Sequence, residues 1–101
     1  MIIYNVTTNV DWSIHDDWLP WMKYTHIPEI LATRLFHQFQ VLRLLQVDEA
    51  EGPTYAVQFY SNSIESYSRY LDEFSGVFEQ KRLERWGGHC LAFYTLMEVV
   101  H

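Results

Sequence analysis

At 101 residues the chain has room for one domain, expected to span residues 1–101. A formal charge of −6 and a pI near 5.2 leave no broad basic surface to neutralise phosphates, which argues against nucleic acid as the main partner. No apolar run approaches the ~20 residues of a membrane span, the start "MIIYNVTTNVDW" lacks a basic n-region, and the single cysteine, Cys90, cannot form an internal disulfide. A cytoplasmic location without membrane association is the expectation.

In chain order, residues 2–10 (IIYNVTTNV) are β-branched and aromatic, the composition of a strand. Asp11 or Ser13 can cap the helix that follows, and Ser13 with Asp16 makes a weak capping box. Asp16 and Asp17 then fall in the first turn, where the helix dipole favours a carboxylate. This helix is expected over about 13–25, kinked or restarted at Pro20, which has no N–H to donate. Pro28 disfavours helical geometry at Ile27, so the helix should end there and a short one follow over about 28–33. Residues 34–49 read as a long strand, 51–54 (EGPT) as a turn, and 54–63 as the hairpin partner. Ser63 can cap a second helix with Ile64, Tyr67, Leu71, Phe74 and Phe78 on one face. Within it, residues 81–85 (KRLER) read as a solvated face. Gly87 and Gly88 supply the positive φ that ends a helix, and residues 90–100 form the last strand.

The order β-α-β-β-α-β is that of a ferredoxin-like plait, an α+β fold with a four-stranded antiparallel sheet and its helices on one face. The other face should be half polar if it met water. The last strand is instead apolar on both sides: Leu91, Phe93, Met97 and Val99 on one, Ala92, Tyr94, Leu96 and Val100 on the other. A chain of this length has nothing left to cover the bare face, so a second copy is expected there, as a homodimer.

Four stretches carry a resemblance to a known group: "MIIYNVTTNVDWSIHDDWLPWMKYTHIPEILATRLF", "GPTYAVQF", "SYSRYLDEF" and "AFYTLMEV". Together they resemble an uncharacterised domain-of-unknown-function family of the dimeric α+β barrel superfamily, which includes antibiotic-biosynthesis monooxygenases, haem-degrading enzymes, isomerases and pure binding proteins. The resemblance implies the fold and the dimer but no reaction, because one fold hosts many chemistries. It also implies a glycine at position 34, where this chain has Arg34. Either Arg34 takes a strained positive φ, or the turn into the second strand shifts.

Few residues suggest chemistry. Asn5 and Thr7 share one face of the first strand, Gln58 and Tyr60 one face of the third, and Tyr94 and Glu98 one face of the fourth. If these faces coincide, the polar groups project into the barrel between two sheets. Gln58 and Tyr60, with Trp18 and Trp21, are then candidates to contact a small apolar or aromatic ligand. Arg43 sits among apolar residues of its strand and would need a carboxylate; Glu98 is the internal candidate. His26, at the expected irregular helix end, can serve as acid or base or simply close the helix. No two of His15, His26, His37, His89 and His101 are spaced as ligands on one helix, so no metal is expected.

For haem-degrading members the resemblance implies an asparagine on strand one, a tryptophan on strand three and a histidine on a helix. Asn5 matches, but the tryptophans lie elsewhere and the second helix has no histidine; no cofactor is expected. Two functions stand open. One is a non-enzymatic homodimeric binding or structural domain with a small apolar or aromatic ligand cleft between helix one and the sheet. The other is a cofactor-independent monooxygenase or isomerase acting on an aromatic or polyketide-like molecule, with Asn5, His26, Arg43 and Tyr94 as its polar groups.

Overall fold

A computed structural model describes all of residues 1–101. Four strands, β1 (Ile2–Val10), β2 (Gln38–Arg43), β3 (Thr54–Ser61) and β4 (Cys90–Glu98), form one antiparallel sheet in the order β2-β3-β1-β4. Between β1 and β2 lie α1 (Trp12–Trp21), a π turn (Met22–His26) and α2 (Ile27–Leu31); between β3 and β4 lie α3 (Ile64–Glu73) and α4 (Ser75–Trp86). This is the expected β-α-β-β-α-β plait. No helix is long and apolar enough to cross a membrane.

Strand alternation sorts the side chains. Tyr4, Val6, Thr8 and Val10 of β1 share the helix-covered face with Tyr55, Val57 and Phe59 of β3, because the register pairs Tyr4 with Phe59, Val6 with Val57 and Thr8 with Tyr55. The core is strongly aromatic. Trp18, Ile27, Val57 and Phe59 are essentially inaccessible, and the Tyr4 ring packs within about 6 Å of Phe36, Phe59, Tyr67, Tyr70 and Tyr94.

Four local expectations change. The first helical segment does not end at residue 25: α1, the π turn and α2 run on without a break, and His26 is interior to them. Pro20 and Pro28 flank the π turn, in which the Ile27 N–H reaches the Met22 carbonyl. The wider turn accommodates the donors that the prolines lack, so the chain stays helical through Pro28, where a stop was expected. Helix α1 starts one residue early, so Asp16 and Asp17 lie past its first turn; Asp11 holds the cap position without a side-chain cap bond.

β2 is six residues, shorter than the expected 34–49. Only Gln38–Arg43 find partners on β3, and positive φ at Arg34 (65°) and Gln46 (59°) turns the chain on either side. Arg34 therefore adopts the backbone conformation that the glycine pattern implied. The connection to β3 is pinned to the end of β1: Val10 N–H donates to Pro53 O at 2.9 Å, and Asn9 Nδ2 to Gly52 O at 3.0 Å.

The second helix is broken at Phe74 (φ −127°). Its core-facing residues are the buried Tyr70, Phe78 and Trp86 and the partly buried Tyr67 and Phe74, while Ile64 and Leu71 are exposed. Ser63 caps α3 as expected, its Oγ accepting from Ser66 N–H at 3.2 Å. Gly87 ends α4 at φ 58°.

Candidate functional site

The helical layer does not fill the space above the sheet. A cavity of about 40 Å³ lies between α1 with the π turn, α4 and the sheet; Trp18, Met22 and His26 wall one side, Phe78, Glu79 and Arg82 the other. Thr8 and Tyr94 close it from the sheet. Tyr4, Ser75, Glu79 and Tyr94 also line an outer cleft of about 390 Å³ against α3 and α4, so cleft and cavity adjoin across these side chains. The break between the two helices sets Ser75 and Gly76 at its rim.

Three side chains hold the mouth. Glu79 accepts from Arg82 Nη2 at 2.5 Å and from the Tyr94 hydroxyl. Burial alone would raise the Glu79 pKa, but the bonds from Arg82 and Tyr94 hold it below the ordinary carboxylate range. Burial, reinforced by the Glu79 carboxylate, pushes Tyr94 up to about 12, so it stays a neutral O–H donor. Arg82 Nη1 also reaches Cys90 O at 3.5 Å. Its side chain is only 13% exposed, which corrects the reading of residues 81–85 as wholly solvated. Arg82 continues the buried spacing Tyr70, Phe74, Phe78, and that periodicity was the missed signal.

On the α1 side of the cavity the groups are neutral. Desolvation lowers His26 to about 4, outweighing the nearby Glu29 carboxylate, and no hydrogen bond contributes to the shift. Its ring stacks on Trp21 at 4.5 Å and meets Phe78 edge-on at 5.8 Å. The fully buried Trp18 has an indole N–H without any partner, unusual for a buried donor. His26 is therefore packed among aromatic rings and does not close a helix end.

The candidates named from the sequence separate into three places. Trp18, His26 and Tyr94 meet at the cavity, and Trp21 backs His26. Asn5, Gln58 and Tyr60 project from the opposite, helix-free face, since Asn5 pairs with Gln58 in the register that turns Tyr4 and Phe59 toward the helices. Tyr94 and Glu98 do not join them: they pair with Val6 and Ile2, on the helix side. Arg43 stands on edge strand β2 and forms a two-pronged pair with Glu49 at 2.8 and 3.1 Å. Glu98 cannot be its partner, because β4 is the other edge of the sheet. Arg43 borders a separate groove of about 440 Å³ between Tyr24 and Phe39.

The residues present do not fit a haem. Asn5 and His26 lie on opposite sides of the sheet, and the cavity between helices and sheet is far smaller than a porphyrin. No three His, Cys, Asp or Glu side chains converge.

The chain belongs to the family described as "Domain of unknown function (DUF4286)", whose model matches residues 1–100. No curated protein matches it. Among solved structures it is similar to an ethyl tert-butyl ether degradation (EthD) family protein from Bacillus halodurans C-125, with TM-score 0.71, 15% identity and coverage of 99% of this chain and 100% of that one. It is also similar to a mutant of MhuD with two manganese protoporphyrin IX molecules per active site, at TM-score 0.65 and 16% identity, covering 100% and 96%. A third is a dimeric ferredoxin-like protein from an uncultured marine organism, at TM-score 0.59 and 14% identity, covering 99% and 95%. The fold is the ferredoxin-like plait that these structures share.

Proposed function

We propose that this chain is a homodimeric binding domain that takes a small apolar or aromatic molecule in the cleft beside α4, with one end of the ligand in the cavity under His26. The observation that carries this reading is the aromatic-walled space itself. The outer cleft, at about 390 Å³, lies within the ~300–1,000 Å³ common for ligand sites. It adjoins a cavity lined by the fully buried Trp18, whose N–H has no partner, and by the neutral His26 imidazole. Trp18 offers a donor, His26 an acceptor, and Tyr94 a second donor at the mouth. Glu79 and Arg82 neutralise one another, so an uncharged ligand meets no unbalanced charge there.

The second reading is a cofactor-independent monooxygenase or isomerase working through His26 and Tyr94, and the shared lining supports it. The pKa values favour binding. A base near pKa 4 accepts a proton about three orders of magnitude less readily than one near 7, and Tyr94 near 12 is a reluctant acid.

Native mass spectrometry of the protein purified from its source tests the proposal. The expected result is a dimer retaining a small molecule, identified after release. Thermal-shift titration with planar phenols and quinones gives a second readout, and Trp18→Phe should weaken any shift. Dimers without retained mass, combined with no shift from any such aromatic, would sink the reading. Turnover of a bound aromatic under oxygen would move it to the enzymatic alternative.

A further inference from the structure

A second concavity lies on the far side of the π turn. Phe39, Val41 and Arg43 of β2 face the helical layer, as their partners Phe59, Val57 and Tyr55 do. The helices cover them only in part. β2 is an edge strand, and α1 sits over β3, with Trp18 stacked on Tyr55 at 5.3 Å. The space left above β2 is the groove of about 440 Å³ that Arg43 borders. Buried Tyr55 and half-buried Leu19 and Val41 form its base, and Tyr24 and Phe39, 75% and 44% exposed, its rims. Its volume is one common for ligand sites, and it shares no lining residue with the cavity under His26. Neighbours along the helix divide between the two: Trp18 and Met22 line the cavity, Leu19 and Lys23 the groove.

The charge of the groove is opposite to that of the chain. Acids outnumber cations thirteen to seven, yet two of the seven groove residues are cations and none is an acid. The two cations differ in state. Arg43 gives Nε and Nη2 to Glu49, which neutralises it, and keeps Nη1 as a free donor. Lys23 forms no ion pair, and its ammonium stands 5.7 Å from the Tyr24 ring centroid. The π turn supplies both Lys23 and Tyr24, and such turns inside helices are frequent at functional sites.

The groove thus offers one unbalanced positive charge, a further N–H donor and an apolar base. One charge matches a monoanion, whereas a phosphate monoester would bring close to two negative charges. A purely apolar molecule would leave the ammonium unused. A carboxylate can accept from ammonium and guanidinium together.

We propose that this groove binds a small monocarboxylate with an apolar body, its carboxylate held by Lys23 with Arg43 as a further donor and its body lying between Tyr24 and Phe39. This site is distinct from the cavity assigned to an uncharged ligand and does not depend on it. It opens on the helix side of the sheet, so a partner on the bare sheet face leaves it accessible.

Amide-shift NMR titration of the full chain tests the proposal, with 3-phenylpropionate and its uncharged counterpart 3-phenylpropionamide as probes. The acid should bind saturably with a Kd of about 0.1–1 mM, the scale for a ligand of this size, and shift Leu19, Lys23, Tyr24 and residues 39–43. The amide should bind about 10-fold more weakly, the scale of one lost charge-assisted hydrogen bond. Lys23→Met should raise the Kd of the acid about 10-fold and leave that of the amide unchanged. Lys23→Glu should abolish binding of the acid alone, and Phe39→Ala should weaken both probes. These side chains are exposed, and circular dichroism confirms that each variant folds.

Equal affinity for acid and amide, or Lys23→Met without effect on either, would overturn the carboxylate assignment. Tighter binding of benzyl phosphate than of the acid would do the same. Shifts centred on Trp18, Met22 and His26 would place the acid in the cavity and overturn the groove. So would the absence of saturable shifts with both 3-phenylpropionate and octanoate at about 10 mM, a limit of roughly −3 kcal/mol. None of these outcomes touches the cavity reading, which the Trp18→Phe titration with uncharged aromatics decides separately.

Discussion

Replacing His26 with phenylalanine should flatten the response of stability to acid. The imidazole is held to about 4 against an ordinary 6.5, with burial the main cause. Between those values the unfolded chain binds a proton at this site and the folded chain does not, so folding loses stability as pH falls from 6.5 through 4. Nothing is lost above 6.5, and below 4 the loss levels off. From pH 7 to about pH 4.5 the linkage amounts to about 2 kcal/mol, approaching roughly 3 kcal/mol at lower pH. Phenylalanine keeps the aromatic sandwich between Trp21 and Phe78 and removes the titration.

The assay is urea unfolding followed by tryptophan fluorescence at pH 7 and about pH 4.5, for wild type and His26→Phe at one protein concentration. Carboxylates titrate in both proteins and cancel in the difference. The wild type should lose about 2 kcal/mol more than the variant. Equal losses, within about 0.5 kcal/mol, would mean that the ring is solvated in the folded state and that the cavity wall is wrongly drawn.

Two further perturbations probe the backbone. At Gly52 an added Cβ would sit 1.7 Å from the Val10 carbonyl oxygen, so Gly52→Ala must displace the loop bonded to Val10 and Asn9 and should cost ~3 kcal/mol or more by chemical denaturation; a cost below ~1 kcal/mol would contradict the close approach. At Arg34, with φ at 65°, Arg34→Gly relieves about 1 kcal/mol of strain against ~0.5–1 kcal/mol of added chain entropy, so stability should barely change. Arg34→Val should cost about 1–2 kcal/mol, since a β-branched residue resists this region; equal stability of the two variants would refute the left-handed turn.

Much of the molecule was legible locally. β-branched runs marked β1 and β3, Ser63 marked a helix start, and Gly87 a helix end, because each depends on a few neighbouring residues. The doubly apolar β4 was equally plain: alternation alone shows Leu91 and Phe93 opposed to Ala92 and Tyr94. Arg34 was legible only through a family resemblance, since a positive φ leaves no trace in an arginine. The length of β2 was not legible, because the apolar Leu44, Leu45 and Val47 resemble strand until β3 fails to supply partners.

The candidate site divides in the same way. The tryptophans, His26 and Tyr94 were recognisable as unusual residues. Glu79 and Arg82 were hidden inside a charged helical run that resembles any solvated surface. The faces onto which Asn5, Gln58 and Tyr94 project depend on the relative register of three strands, which no single segment encodes. Sequence by itself determined which elements form and how much apolar surface needs covering, because those follow from local conformational preference and composition. Tertiary structure alone decided that Tyr94 faces a cavity and Asn5 the bare sheet, because a shift of one residue in pairing would have exchanged those faces.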